Sequence, residues 1–152
     1  MKKSLIIEII SILLIILFVY AATSKLLDYQ KFRVQLGQSP LLTSFAGFVA
    51  WFVPLVEVLI AILLAQARFR RLGLYAAFSL MTMFTTYIFI LTHYSEYVPC
   101  SCGGILEKMN WNQHFIFNII FTTLAAAGVI LYNGDDQTKK ILLRIHRKII
   151  AQ

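Results

Sequence analysis

The chain has 152 residues, enough for one domain of ordinary size, and 59% of them are hydrophobic while only 14% are charged, against roughly 25% charged in an average soluble domain. A soluble fold of this length has no interior large enough for that much apolar surface, so the composition calls for a lipid bilayer. A net charge of +7 raises the question of nucleic acid, but the basic residues fall between and after the apolar runs, with no stripe of them interleaved with aromatics. That pattern argues against nucleic acid and for topology signals and anionic lipid.

Four apolar runs, 5–22, 45–65, 72–92 and 115–132, each approach the ~20 residues that cross a hydrocarbon core about 30 Å thick. The expected fold is an all-α integral membrane protein, a four-helix bundle over residues 1–132 followed by a tail over 133–152. The first run follows Lys2 and Lys3 and is longer than the 7–15 apolar residues of a secretory signal, so it reads as a retained helix. Its Glu8 lies near enough to the helix start to reach the interface beside those lysines.

Orientation follows from the basic residues. With the N-terminus in the cytoplasm, ten lysines and arginines fall inside and four (Lys25, Lys31, Arg33, Lys108) outside, as the positive-inside rule requires. Both termini are then cytoplasmic, and residues 93–114 face the periplasm or cell exterior. The expected location is a bacterial inner membrane.

Residues 23–40 form the first outer connection, with enough aliphatic side chains (Leu26, Leu27, Phe32, Val34, Leu36) for a short helix on the membrane surface. Helix two contains Pro54, which removes one backbone hydrogen bond, and Glu57 one turn later. A carboxyl group at that depth must be paired or protonated. Its bland role is a neutral side chain bonded to a neighbouring helix, for example to carbonyls freed by Pro54.

After the turn at Arg68–Arg71, helix three carries Ser79, Thr82 and Thr86 on one face, expected to pack on another helix. Helix four offers the small run Ala125-Ala126-Ala127-Gly128 for close approach. Asn133-Gly134 is a helix stop signal, with a new helix opening at Asp135 and Asp136. In that tail Ile141, Leu142, Ile145 and Ile149 oppose Lys140, Arg144, Arg147 and Lys148, an amphipathic basic helix suited to the inner leaflet or to a partner.

Unusual chemistry concentrates in Val98-Pro99-Cys100-Ser101-Cys102-Gly103-Gly104. Joining Cys100 to Cys102 requires a sharp turn, since bridged Cα atoms sit roughly 4.4–6.8 Å apart. Pro99 fixes the entry and the two glycines free the exit. A bridge closing so short a ring is strained and easily reduced, and it removes little entropy from the unfolded chain. Outside the cytoplasm such a pair is open to thiol exchange. Three readings stay open: a redox-active pair, a structural disulfide, and a soft-metal site of Cys100 and Cys102 with His114 or His93. Further on, Trp111 is an expected interfacial anchor. His114 is either an interfacial side chain or a base that activates a thiol, and Asn118, one turn on, is placed to orient it.

These residues together resemble a known group. Ser24-Lys25-Leu26-Leu27 after helix one, Pro54 with Glu57 in helix two, and the Cys-x-Cys-Gly element followed by Trp111, His114 and Asn118 are similar to the DoxX-like membrane proteins and, within them, the MauE (methylamine utilisation) branch. The likeness covers residues 5–132. It implies a compact bundle comparable to quinone-linked disulfide enzymes, with Cys100 and Cys102 as the redox pair. A thioredoxin-like partner and disulfide formation in a periplasmic dehydrogenase are implied as well. Ser24, Lys25, Glu57, His114 and Asn118 are carried over as motif positions without a role. The second cysteine pair of the quinone-linked enzymes is missing here, since the chain has only two cysteines.

The function expected is a membrane thiol–disulfide relay between a periplasmic dithiol and a quinone or thioredoxin-like protein. One alternative is a non-catalytic subunit or assembly factor of a larger membrane complex, docking through the aromatics Phe78, Phe84, Tyr87, Phe89, Phe115, Phe117 and Phe121. Another is soft-metal or small-solute handling with the cysteines and Glu57.

Overall fold

The structure, a computed structural model, describes residues 2–38, 43–94 and 110–150, with side chains from 3 to 38, 43 to 94 and 110 to 134. The described residues are helical almost throughout and contain no strand. Helix α1 spans Lys2–Leu27, α2 Tyr29–Gln38, α3 Ala46–Ala65 after a 3-10 turn at Thr43–Phe45, α4 Arg70–Tyr94 and α5 Trp111–Ile150. Helices α1, α3, α4 and the first part of α5 are each long and apolar enough to cross a membrane.

The four spans form a closed ring: α1 packs on α3, α3 on α4, α4 on α5, and α5 back on α1, with little contact across the diagonal. One stripe of each helix builds the core. On α1 it is Ile7, Ile10, Leu14 and Phe18, on α3 Ile60, Ala61 and Leu64, on α4 Leu74, Ala77, Leu80 and Met81, and on α5 Ala125. These recur three or four residues apart, the spacing that keeps one helix face inward. The outward faces are also apolar, with Ile16, Phe48, Met83 and Ile130 all more than half exposed. In water such a surface would aggregate; against lipid tails it is the ordinary exterior of a membrane bundle.

Two glycines set close approaches. A Cβ on Gly73 would lie 2.9 Å from the backbone nitrogen of Leu64, so only glycine lets α4 turn back this tightly on α3. Arg70 Nε donates to the Leu64 carbonyl at 3.4 Å across the same turn, satisfying one of the carbonyls that end α3. Gly128 lets α5 meet Leu74 and Ile10, whose methyl groups stand 3.0 and 3.1 Å from where its Cβ would be. The small run on α5 therefore has the packing role expected of it.

Three expectations need correction. Helix one does not end at residue 22: α1 continues to Leu27, and a break at Asp28 separates it from α2. Leu26 and Leu27 thus belong to the first span, while Phe32 and Leu36 of α2 pack on Ala46 and Ala50 of α3. The face Ser79–Thr82–Thr86 does not pack on a helix. All three are exposed, and Thr82 and Thr86 return their hydroxyls to the carbonyls four residues back, which satisfies them without a partner. The hydroxyl that reaches across is Thr85, 2.9 Å from Thr122 on α5.

Nor does Asn133-Gly134 stop the last helix, since α5 runs unbroken for 40 residues, about 60 Å at 1.5 Å per residue. Asn133 Nδ2 donates to the Tyr75 hydroxyl at 2.8 Å, so this side chain clips α5 to α4 instead of capping it. A glycine inside a helix costs only about 1 kcal/mol relative to alanine, too little to end one without a following proline. The tail is backbone-continuous with the fourth span; its side chains, on which the amphipathic expectation rests, lie outside those described.

Candidate functional site: a polar cavity inside one end of the bundle

α1 ends, α3 begins, α4 ends and α5 begins at the same end of the bundle, and the polar side chains singled out in the sequence meet just inside that end. Glu57 lies on the buried stripe of α3, which runs Ala46, Ala50, Pro54, Glu57, Ile60, Leu64. Its side chain is completely shielded from solvent. Taking a carboxylate out of water costs several kcal/mol even after relaxation, so a partner is required. Lys25 supplies it.

Because α1 continues past residue 22, Lys25 stays in register with the inward stripe, four residues after Ala21 and seven after Phe18. Its Nζ donates to Glu57 Oε1 at 2.7 Å and to the Ala21 carbonyl at 3.3 Å. The rings of Phe32 on α2 and Phe84 on α4 each lie 5.8 Å from the same nitrogen, within cation–π range. Glu57 therefore bonds to Lys25 on α1, rather than to carbonyls near Pro54. Its second oxygen, Oε2, has no hydrogen-bond partner among the described residues.

From the opposite side come His114 and Asn118, one turn apart on α5. His114 is half-buried, Asn118 buried. Asn118 Nδ2 donates at 2.9 Å to the main-chain carbonyl of His114. The expectation that Asn118 orients the imidazole is corrected accordingly: the amide ties to the backbone of its own helix. The ring of Trp111 stands 6.2 Å from that of His114 at a tilt.

Lys25, Glu57, His114 and Asn118, with Leu17, Phe18, Ala21, Met81, Phe84 and Phe117, line a partly open cavity of about 50 Å³. A water molecule takes up about 30 Å³ of liquid, and an engineered cavity of about 150 Å³ admits benzene. This space is large enough for water and too small for an aromatic ring.

Four of the motif positions thus share one site. Ser24 does not line it; its hydroxyl is buried without a partner among the described residues. His93 turns back on α4, with Nδ1 3.1 Å from the Phe89 carbonyl and its ring stacked on Phe89. Cys100 and Cys102 lie outside the described residues. They belong to the segment that joins Tyr94 to Asn110. Among the described residues no three His, Cys, Asp or Glu side chains come close enough to hold a metal ion.

The aromatics read as a docking face are partly engaged within the bundle, though none is fully buried. Phe84 and Phe117 wall the cavity, Phe78 and Phe121 pack on the core, and Phe89 meets Phe115 at 6.0 Å between α4 and α5. Sequence reasoning missed Met81, Phe84 and Phe117 as walls because their spacing equals that of ordinary core positions.

The fold and site define a four-span helical membrane protein with a Lys25–Glu57 pair bordering a small, mostly apolar cavity at one end. A family model, that of the methylamine utilisation protein MauE, matches residues 3–131. The chain belongs to the MauE family. No curated protein and no solved structure matches it significantly.

Proposed function

We propose that the protein is a thiol–disulfide relay of the DoxX-like kind, set in a bacterial inner membrane with both termini cytoplasmic and Cys100 and Cys102 on the outer side. The observation that carries this reading is the convergence of Lys25, Glu57, His114 and Asn118 on one cavity, at the end of the bundle where the cysteine-bearing segment leaves α4 and enters α5. Polar side chains are expensive inside a bilayer and mark functional sites there.

In the relay a thiolate of a periplasmic dithiol attacks the Cys100–Cys102 disulfide. A mixed disulfide forms, and the partner's second thiolate resolves it. The partner leaves oxidised, having given two electrons and two protons, and Cys100 and Cys102 remain as thiols. A quinone or an oxidised thioredoxin-like protein then takes the same two electrons and two protons and restores the disulfide. The internal cavity is too small for a quinone ring, so a quinone acceptor has to approach from the lipid-facing rim; a thioredoxin-like acceptor needs only the outer surface. Within methylamine utilisation, the fitting destination of the disulfide is a periplasmic dehydrogenase.

Cys102→Ser and Cys100→Ser test the proposal. One of the two variants is expected to accumulate a mixed disulfide with its partner, resolved by reductant on a gel and identified by mass spectrometry. If neither does, and neither changes growth on methylamine, the relay is wrong. Reporter fusions at the two termini check the orientation.

A further inference from the structure

Glu57 is fully buried, yet only one of its oxygens is occupied by Lys25 among the described residues. Lys25 in turn has three N–H donors, of which the Glu57 carboxylate and the Ala21 carbonyl accept two. Both side chains border a cavity of about 50 Å³ that His114 and Asn118 also line. Empty cavities in proteins are apolar, whereas a space this size with two to four polar partners takes up ordered water.

We infer that the cavity is a hydrated proton-transfer site, with water as its ligand, that connects Glu57 to His114. The reading does not depend on the cysteines.

Most of the wall is apolar. Leu17 and Phe18 of α1, Met81 and Phe84 of α4 and Phe117 of α5 contribute to it, and α2 places the Phe32 ring 5.8 Å from Lys25 Nζ. The titratable groups that face Glu57 among the described residues are therefore Lys25 on α1 and, across the cavity, His114 on α5. His114 is half-buried in the first turn of α5, so it stands between the water and the surface. A proton from solvent passes through the His114 imidazole to the water, and the water delivers one to Glu57 Oε2. The carboxyl becomes neutral, Lys25 keeps its charge, and the site has gained one proton; the reverse sequence returns it to the same surface.

The test is infrared difference spectroscopy on the full chain in lipid nanodiscs, taken across pH in H₂O, D₂O and H₂¹⁸O. On acidification a protonated-carboxyl band is expected that disappears in Glu57→Gln, together with a water band that shifts in H₂¹⁸O. The carboxyl band should move to its deuterated position much faster than the backbone amides of the bundle exchange. His114→Phe keeps the ring's bulk and removes its protons. It is expected to slow that exchange about tenfold, which corresponds to about 1.4 kcal/mol on the barrier, without changing thermal unfolding. Lys25→Met provides a second view, because a lone buried carboxylate takes up a proton and its band is then present at neutral pH. The inference is overturned if no band depends on Glu57 in either chain. It is equally overturned if exchange only keeps pace with the amides or ignores the change at His114. The serine variants of Cys100 and Cys102 are expected to keep every one of these signals, so a failed relay and a dry cavity give different results.

Discussion

Replacing Lys25 by methionine strips the counter-charge from a carboxylate that is shielded from bulk solvent. Breaking a buried ion pair from one side costs about 3–5 kcal/mol. Removal of Glu57 is milder. The Lys25 side chain is 17% exposed and its flexible stem can carry the ammonium to the aqueous rim, so Glu57→Leu should cost about 1.5–3 kcal/mol, the worth of a hydrogen bond to a charged group. The double variant Lys25→Met with Glu57→Leu leaves an apolar contact between α1 and α3 and should return to within about 1 kcal/mol of the native chain. Reversible unfolding in mixed micelles, titrated with SDS, measures all four chains. Strictly additive losses in the double variant, or a Glu57→Leu penalty larger than that of Lys25→Met, would refute the pairing argument.

Other perturbations probe the packing. Gly73→Ala drives a Cβ against the Leu64 backbone at 2.9 Å and should cost roughly 1–3 kcal/mol, measured by the same titration. Gly128→Ala meets only side-chain methyl groups and gains helix propensity, so it should stay within about 1 kcal/mol of native. Gly134→Ala has open space around it inside a continuous α5 and should stabilise by about 1 kcal/mol; destabilisation there would mean that the helix ends at that residue after all. A double-mutant cycle with Thr85→Val and Thr122→Val should give a coupling near 0.6 and no more than about 1.7 kcal/mol, the range for hydrogen bonds between membrane helices.

The bundle was legible because membrane spans announce themselves by length and apolarity alone, and each of the four apolar runs lies within a described helix. Boundaries were less so, and the reason is instructive at Lys25. A charge three residues past an apolar run looks like the start of a loop. In fact the helix continues, because the residue four positions earlier already faces the core and Lys25 inherits that direction. The sequence did state that Glu57 needed a partner or a proton. It could not state which residue answered that need, since the two are 32 positions apart and no local rule links them.

Helix register and that requirement together give the rest of the site. An inward Glu57 on α3 and an inward Lys25 on α1 are brought face to face once α1 packs on α3. Both border the cavity to which α5 adds His114 and Asn118 alongside Phe117. The cavity is what remains when a charged pair replaces interlocking aliphatic side chains. A polar interior at this end of the bundle is therefore a direct consequence of two residues that lipid alone would never select, which is the physical reason to look for the protein's chemistry there.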